Sequence, residues 1–193
     1  MQKTIEDCGL PFRTEEQIKA TIGIRLEEIP LILWPSFNGL KEKFVSTYRK
    51  NFEEKKGQIP VILFRGVKDT LVKLNERGIK MAIATSRSHK SVRELTEQLG
   101  IKDYFVYLLG GDDVSEGKPN PESIYKISSD MNWKPDETLM VGDMNVDIMM
   151  GKNAGVRTCA VNYGNGKQTE LLEAGADHII DSFSLLPEIL KTR

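Results

Sequence analysis

The spacing of apolar positions changes period once along the chain. Up to about residue 57 it is helical, and nothing alternates in the manner of a strand. In FNGLKEKFVSTYRKNFEEKKG, Leu40, Phe44, Tyr48 and Phe52 fall four residues apart among mixed charges, which predicts a long amphipathic helix ending before Gly57 and Pro60. Upstream, Thr14 and Gln17 in RTEEQIKATIG have the spacing of a capping box, and Gly23 closes that segment. Residues 1–60 therefore read as a small helical unit of their own.

After Pro60, short β-rich runs alternate with helical ones. The runs are KMAIAT (80–85), YFVYLL (104–109), TLMVG (138–142), RTCAVN (157–162) and DHIID (177–181). Amphipathic segments accompany them at about 66–77, 89–99, 121–131, 145–154, 167–174 and 183–191. Strand, helix, strand in repetition implies crossover connections, so residues 61–193 read as an α/β Rossmann-like parallel sheet with helices on both faces. The joint with the helical unit falls in GQIPVILFRG, residues 57–66. Ligands of such a sheet gather at the carboxyl ends of its strands. Attention therefore goes to Thr85 and Ser86, the segment after Leu109, and Asp143.

Charge narrows the range of partners. With 27 Lys and Arg against 28 Asp and Glu, and neither sign forming a block, no nucleic acid or anionic membrane partner is expected. The apolar stretches, such as Leu31 to Trp34, are far shorter than the ~20 residues of a membrane helix, and MQKTIEDCGL is no signal peptide. A cytoplasmic protein is expected. Cys8 and Cys159 lack metal-ligand spacing and read as buried structural thiols in a reducing compartment.

Three places carry candidate chemistry, each with a plain structural alternative. The Thr85 hydroxyl and the N–H groups after it could bind phosphate at the mouth of the sheet, or Ser86 or Ser88 could simply cap the next helix. Lys118, in EGKPNPES, precedes Asn120 as a helix N-cap and Pro121 at the first helical position. It could offset the charge of a phosphoryl group or lie in solvent. Asp143 and Asp147, four residues apart in VGDMNVDIMMGKNAG, could serve a hard cation such as Mg²⁺ or cap a helix and complement its dipole. His89 and His178 show no catalytic partner and read as structural or exposed.

The three places occur in a distinctive order. A strand-end Thr, a Lys-Pro loop about thirty residues later, and Gly-Asp-x-x-x-Asp after the next strand resemble motifs two to four of the haloacid dehalogenase-like (HAD) superfamily. GKPNP, VGDMNVD and YGNGKQTELLEAGADHIIDS are most similar to its phosphoglycolate phosphatase branch. The resemblance implies a phosphatase acting on a small phosphorylated metabolite, with residues 1–60 as a helical cap. Thr85 and the Ser86 N–H would hold the phosphoryl oxygens, and Lys118 would neutralise the charge of the transition state. Asp143 would bind Mg²⁺, with Asp147 beside it directly or through water. From the cap, Arg25 would meet a substrate carboxylate, unless it is an ordinary solvated arginine.

That family's first motif, Asp-x-Asp-Gly-Thr at the end of a central strand, precedes its cap and supplies the nucleophile and the acid/base. Asp7 in IEDCGL is the nearest counterpart, but it follows no strand and has no second Asp, so it is not expected to be the nucleophile. Residues 1–193 alone are thus expected to be impaired as an enzyme and to bind Mg²⁺ weakly or not at all. Their sheet would be open between the strands before Thr85 and Asp143. A start assigned too late, a true truncation, or a non-catalytic phosphate-binding or interaction protein completed by a homodimer or a strand-supplying partner would each account for this. A sugar-phosphate mutase or a dehalogenase ranks lower.

Overall fold

The computed structural model describes residues 1–190 apart from 38, 56 and 59. Within the expected joint at 57–66 and helix at 183–191, Ile59 and Lys191 lie outside the described residues. The chain divides into two compact units, Met1–Val61 and Ile62–Arg193.

The first unit is made of α1 (Gln2–Asp7), α2 (Glu15–Lys19), α3 (Ile29–Leu33) and α4 (Lys41–Lys55). The capping box at Thr14 forms: its hydroxyl accepts from Gln17 N at 3.2 Å, and Gln17 Oε1 accepts from Thr14 N at 3.0 Å. Phe44 is fully buried with Ile5, Leu33 and Trp34. Phe52, by contrast, is 41% exposed. Each four-residue step overshoots a helical turn by about 40°, so the stripe has drifted by about 120° between Leu40 and Phe52. Phe52 stacks on Tyr48 instead, with ring centroids 6.3 Å apart.

The second unit opens with α5 (Val67–Glu76), β1 (Ala82–Ala84), α6 (His89–Gln98), β2 (Tyr107–Leu109) and α7 (Glu122–Met131). It continues with β3 (Leu139–Gly142), α8 (Asn145–Asn153), β4 (Arg157–Val161), α9 (Gln168–Glu173), β5 (His178–Ile180) and α10 (Leu186–Ile189). The strands are shorter than the runs that predict them. The start of YFVYLL goes to a 3₁₀ turn over Lys102–Tyr104, and the helix expected at 183–191 becomes a 3₁₀ turn, Phe183–Leu185, followed by a single helical turn.

All pairings are parallel, and they form two ladders. β1 pairs with β2, Ala82 opposite Tyr107, while β4 lies between β3 and β5. Among the described residues no strand lies between β1 and β3. β4, with a neighbour on each side, is buried from Thr158 to Val161; β1 and β3, with one neighbour each, are partly exposed throughout. Alternation along β4 builds two apolar layers. Cys159 and Val161 pack with Leu74 of α5 and Leu186 of α10, and Ala160 packs with Ile148 of α8 and Leu171 of α9. Ala84 of β1 and Met140 of β3 both pack against one cluster of Ile124, Met150, Ala154 and Val156. The two ladders therefore share the α7 and α8 core although β1 and β3 do not pair.

Candidate active site

The last residue of β1 leads into a tight turn. Thr85 N continues the ladder by donating to Leu109 O at 3.0 Å, and the Thr85 hydroxyl oxygen accepts from Arg87 N at 3.2 Å. That bond uses a lone pair and leaves the hydroxyl proton to be donated elsewhere. Ser88, not Ser86, is the helix cap: its hydroxyl accepts from Ser91 N at 3.3 Å at the start of α6.

The Lys118 loop is closed from within. Asn120 Oδ1 accepts from Glu122 N at 3.0 Å, but the N-cap is Pro121, so α7 begins one residue later than expected and Asn120 stands just before the cap. The Glu122 carboxylate accepts from Ser115 N at 3.0 Å and Glu116 N at 2.8 Å, which fixes the chain on both sides of Lys118. Lys118 Nζ donates to Ala84 O at 3.0 Å and to Asp147 Oδ1 at 2.8 Å. A single ammonium thus joins the end of β1 to the turn after β3.

The two aspartates are not equivalent. Asp147 folds back over the first turn of α8, and its Oδ2 accepts from Asp143 N at 3.2 Å and Met144 N at 3.1 Å. Gly142 makes this fold-back feasible, because a Cβ there would lie 2.3 Å from Asp147 Cβ. Asp143 Oδ2 accepts from Asn165 N at 2.8 Å and from Asn165 Nδ2 at 3.1 Å. Its Oδ1 accepts no hydrogen bond from the described residues, so Asp143 is the carboxylate with an open oxygen. It is thus Asp147, not Asp143, that accepts from the N–H groups at the start of α8.

Thr85, Lys118, Asp143 and Asp147 therefore converge on the carboxyl ends of β1 and β3. Arg25 lies in the helical unit, where its Nε donates to Glu28 Oε1 at 2.6 Å. Asp7 is held in the same unit by Asn51 Nδ2 at 2.9 Å, which gives it a structural role between α1 and α4. His178 stays in β5, away from these groups in sequence and ladder order. Cys159 is buried and its thiol is pushed up to about 11 by burial, so it is no nucleophile at neutral pH. Asn165 escaped the sequence reading, although it has a signal in its Gly-Asn-Gly turn beyond β4. His89, read as structural or exposed, is exposed, and its Nδ1 lies 2.7 Å from Asp113 Oδ2.

The sequence profile of the haloacid dehalogenase-like hydrolases matches residues 1–161. This chain belongs to that family. Among its haloacid dehalogenase-like relatives, a phosphoglycolate phosphatase of Vibrio parahaemolyticus is 33% identical over 195 residues, covering 97% of this chain and 86% of its own length. The pyrophosphatase PpaX of Halalkalibacterium halodurans is 34% identical over 149 residues, 77% of this chain and 67% of its own. A solved chain from Bacteroides fragilis, 28% identical, superposes with a TM-score of 0.85 over 95% of this chain and 88% of its own. The α/β architecture with parallel strands between helices is thus the one shared with family neighbours. Among the described residues no helix is long and apolar enough to cross a membrane.

Proposed function

We propose that this protein is a Mg²⁺-dependent phosphomonoester phosphatase of the phosphoglycolate type. The observation that carries the reading is the bridge from Ala84 O through Lys118 Nζ to Asp147 Oδ1, which ties a cation to the residue before Thr85 and to the carboxylate that accepts from Asp143 N. In this reading the Thr85 hydroxyl and the Ser86 N–H hold the phosphoryl oxygens, and Lys118 offsets the charge that grows on them. Asp147 acts chiefly on Lys118, since both its oxygens are engaged.

The donor set suits a hard cation in kind, because it offers carboxylate oxygens without Cys or His. It is incomplete in number: among the described residues no three His, Cys, Asp or Glu side chains gather as a metal site. Asp143 Oδ1 would be the direct ligand, and Asp147 would reach the ion through water. When bound, Mg²⁺ would take up negative charge from the phosphoryl oxygens. The reading further requires two aspartates, nucleophile and acid/base, on a strand between β1 and β3, contributed from outside residues 1–193. The separation of the two ladders supports a place for it.

Phosphate release from an aryl phosphate and from 2-phosphoglycolate, with Mg²⁺ or with EDTA, tests this. An upstream-extended chain is expected to hydrolyse both with Mg²⁺, and residues 1–193 alone are expected to be far slower. An extended chain with an Asp-x-Asp strand but no Mg²⁺-dependent release would defeat the proposal, and faster release from pyrophosphate would move it to another substrate class. The open sheet also supports a second reading, a non-catalytic phosphate-binding chain completed by a strand from a second molecule. Sedimentation of residues 1–193 as a well-folded dimer or heteromer favours it, and a loose monomer counts against it.

A further inference from the structure

The turn after β2, Gly110-Gly111-Asp112-Asp113, is packed against the segment Ser86–His89 without room for side chains. A Cβ on Gly110 would lie 2.2 Å from His89 N, and one on Gly111 would lie 2.9 Å from Ser86 O. Neither contact involves a flexible side-chain end, so only glycine permits this approach. Three hydrogen bonds then fasten the two turns. Gly111 N donates to Arg87 O at 2.7 Å, His89 N donates to Asp112 Oδ1 at 2.6 Å, and His89 Nδ1 meets Asp113 Oδ2 at 2.7 Å. The same Asp113 oxygen accepts from Gly110 N at 2.7 Å, which fixes the carboxylate on its own turn.

We propose that this turn is a clamp that sets the geometry of the phosphate-holding loop, with Asp113 and His89 as positioning residues for the Thr85 hydroxyl and the Ser86 N–H. It rests on the reading of Thr85 and Ser86 as the phosphate site and adds to it what holds that site in shape. The loop has one bond across its own turn, from Arg87 N to the Thr85 hydroxyl oxygen at 3.2 Å. The Thr85 ladder bond fixes its start and the Ser88 cap its end, while Arg87, between them, is pinned from outside by Gly111. Asp113 is held ionised: burial would raise its carboxyl, but the Gly110 N–H and His89 outweigh this and lower it. An ionised Asp113 accepts from His89 Nδ1 whether the imidazole is neutral or charged, so the clamp needs no protonation event. Preorganised donors gain from such support, since loosening by an ångström costs binding and rate together.

The test is titration of inorganic phosphate against the intact protein, followed through the Ser86 and Arg87 amide resonances, in the wild type and in His89→Ala, Asp113→Ala, His89→Asn and Thr85→Ala. Both clamp alanine variants are expected to weaken phosphate about tenfold with the melting temperature nearly unchanged. His89→Asn, whose amide N–H can take the place of Nδ1–H, is expected to restore most of the affinity. A merely structural role would lower the folded fraction and leave the affinity of the folded molecules intact. Wild-type affinity in both clamp variants, with Thr85→Ala weakened, overturns the clamp alone. Thr85→Ala binding phosphate normally overturns the phosphate site and the clamp with it. Should Asp113→Ala fail to fold, the half-exposed His89 decides through its two variants.

Discussion

Lys118 Nζ lies 2.8 Å from Asp147 Oδ1, and with side chains 11% and 8% exposed the pair is nearly closed to water. Two backbone N–H groups also point at Asp147, and the Ala84 carbonyl faces the ammonium, so each charge is hydrogen-bonded beyond its partner. Such a pair contributes little net stability over an apolar replacement, but removing one member strands the other. Lys118→Ala is expected to cost about 3 kcal/mol, the lower end for a broken buried pair because the backbone donors remain on Asp147. Urea unfolding of the variant measures it. In an active form of the protein, phosphate release is expected to fall by at least about a hundredfold, as for other removed electrostatic groups. Full activity in Lys118→Ala would take the ammonium out of the chemistry.

Asn165 concerns the other aspartate. Its side-chain amide and its own N–H both donate to Asp143 Oδ2, which fixes the carboxylate through that oxygen. Partners of this kind orient a ligand carboxylate, and their loss commonly costs about 10- to 100-fold in metal affinity. Asn165→Ala keeps the backbone donor, so the lower end is expected, with the Mg²⁺ concentration for half-activation raised about tenfold. Asn165→Asp should be worse, because it sets a second negative charge against Asp143. An unchanged Mg²⁺ requirement in both variants would leave Asn165 a turn residue and nothing more.

What a single sequence displays are local relations, and the site shows the limit of this. Thr85, Lys118, Asp143 and Asp147 stand at strand ends and before a helix start, positions that period and turn residues reveal. Their partners are not local: Lys118 and Asp147 are 29 positions apart, Asn165 and Asp143 are 22, and His89 and Asp113 are 24. No spacing rule connects them, which is why His89 read as partnerless and Asn165 received no role. The strands show the same limit. YFVYLL is continuously apolar, yet only its last three residues pair, because the turn at Lys102–Tyr104 uses up the start and Val106 meets Met81 by a lone bond. Chain-wide alternation of strands and helices was legible; which edges meet was not.

Gly151 in α8 gives a stability prediction of unusual sign. Glycine to alanine inside a helix ordinarily stabilises by about 1 kcal/mol. Here a Cβ would lie 2.5 Å from Thr158 Cγ2 and 3.0 Å from Met140 Cβ, where α8 presses on β3 and β4. Overpacking costs about 1–3 kcal/mol, so Gly151→Ala is expected to be destabilised by about 1 kcal/mol net. A urea midpoint at or above that of the wild type would show that α8 can lift without penalty.

Asp177 supplies a pH dependence. Burial would raise its carboxyl, but the Lys152 ammonium at 2.6 Å and the Thr158 hydroxyl and N–H, both at 2.8 Å, outweigh that and hold it at about 2. A carboxyl depressed below its ordinary 3.8 stabilises the fold above that pH, and the contribution is lost as pH falls through about 2. With the two side chains 40% and 35% exposed, solvent screening limits the ion pair to about 1 kcal/mol or less. Asp177→Asn is therefore expected to be slightly less stable at neutral pH, with the gap to wild type closing between pH 3.8 and about 2. Urea midpoints across that range check it, and a gap independent of pH would show that the carboxyl is not depressed in the folded protein.

The separation of the ladders gives the most direct test of how the site is completed. In a parallel strand alternate residues direct their N–H groups to opposite neighbours, so β1 and β3 each carry donors on the side that no described strand covers. Unpaired edge amides exchange with solvent through small local openings, whereas those of a strand paired on both sides require larger ones. In residues 1–193 alone, hydrogen exchange is expected to be slow across Thr158–Val161 and fast at alternate amides of Ala82–Ala84 and Leu139–Gly142. Adding the strand that the phosphatase reading requires, by upstream extension or as a separate peptide, should slow those fast amides and leave β4 unchanged. Mg²⁺ affinity should rise in the same titration, because the two new aspartates would arrive beside Asp143. Protection without a gain in Mg²⁺ affinity would indicate a sheet completed by a strand lacking the acids, the pattern of the binding-protein reading. No change in exchange on either edge would mean that the added strand does not lie between β1 and β3, and the proposed source of the nucleophile would fall with it.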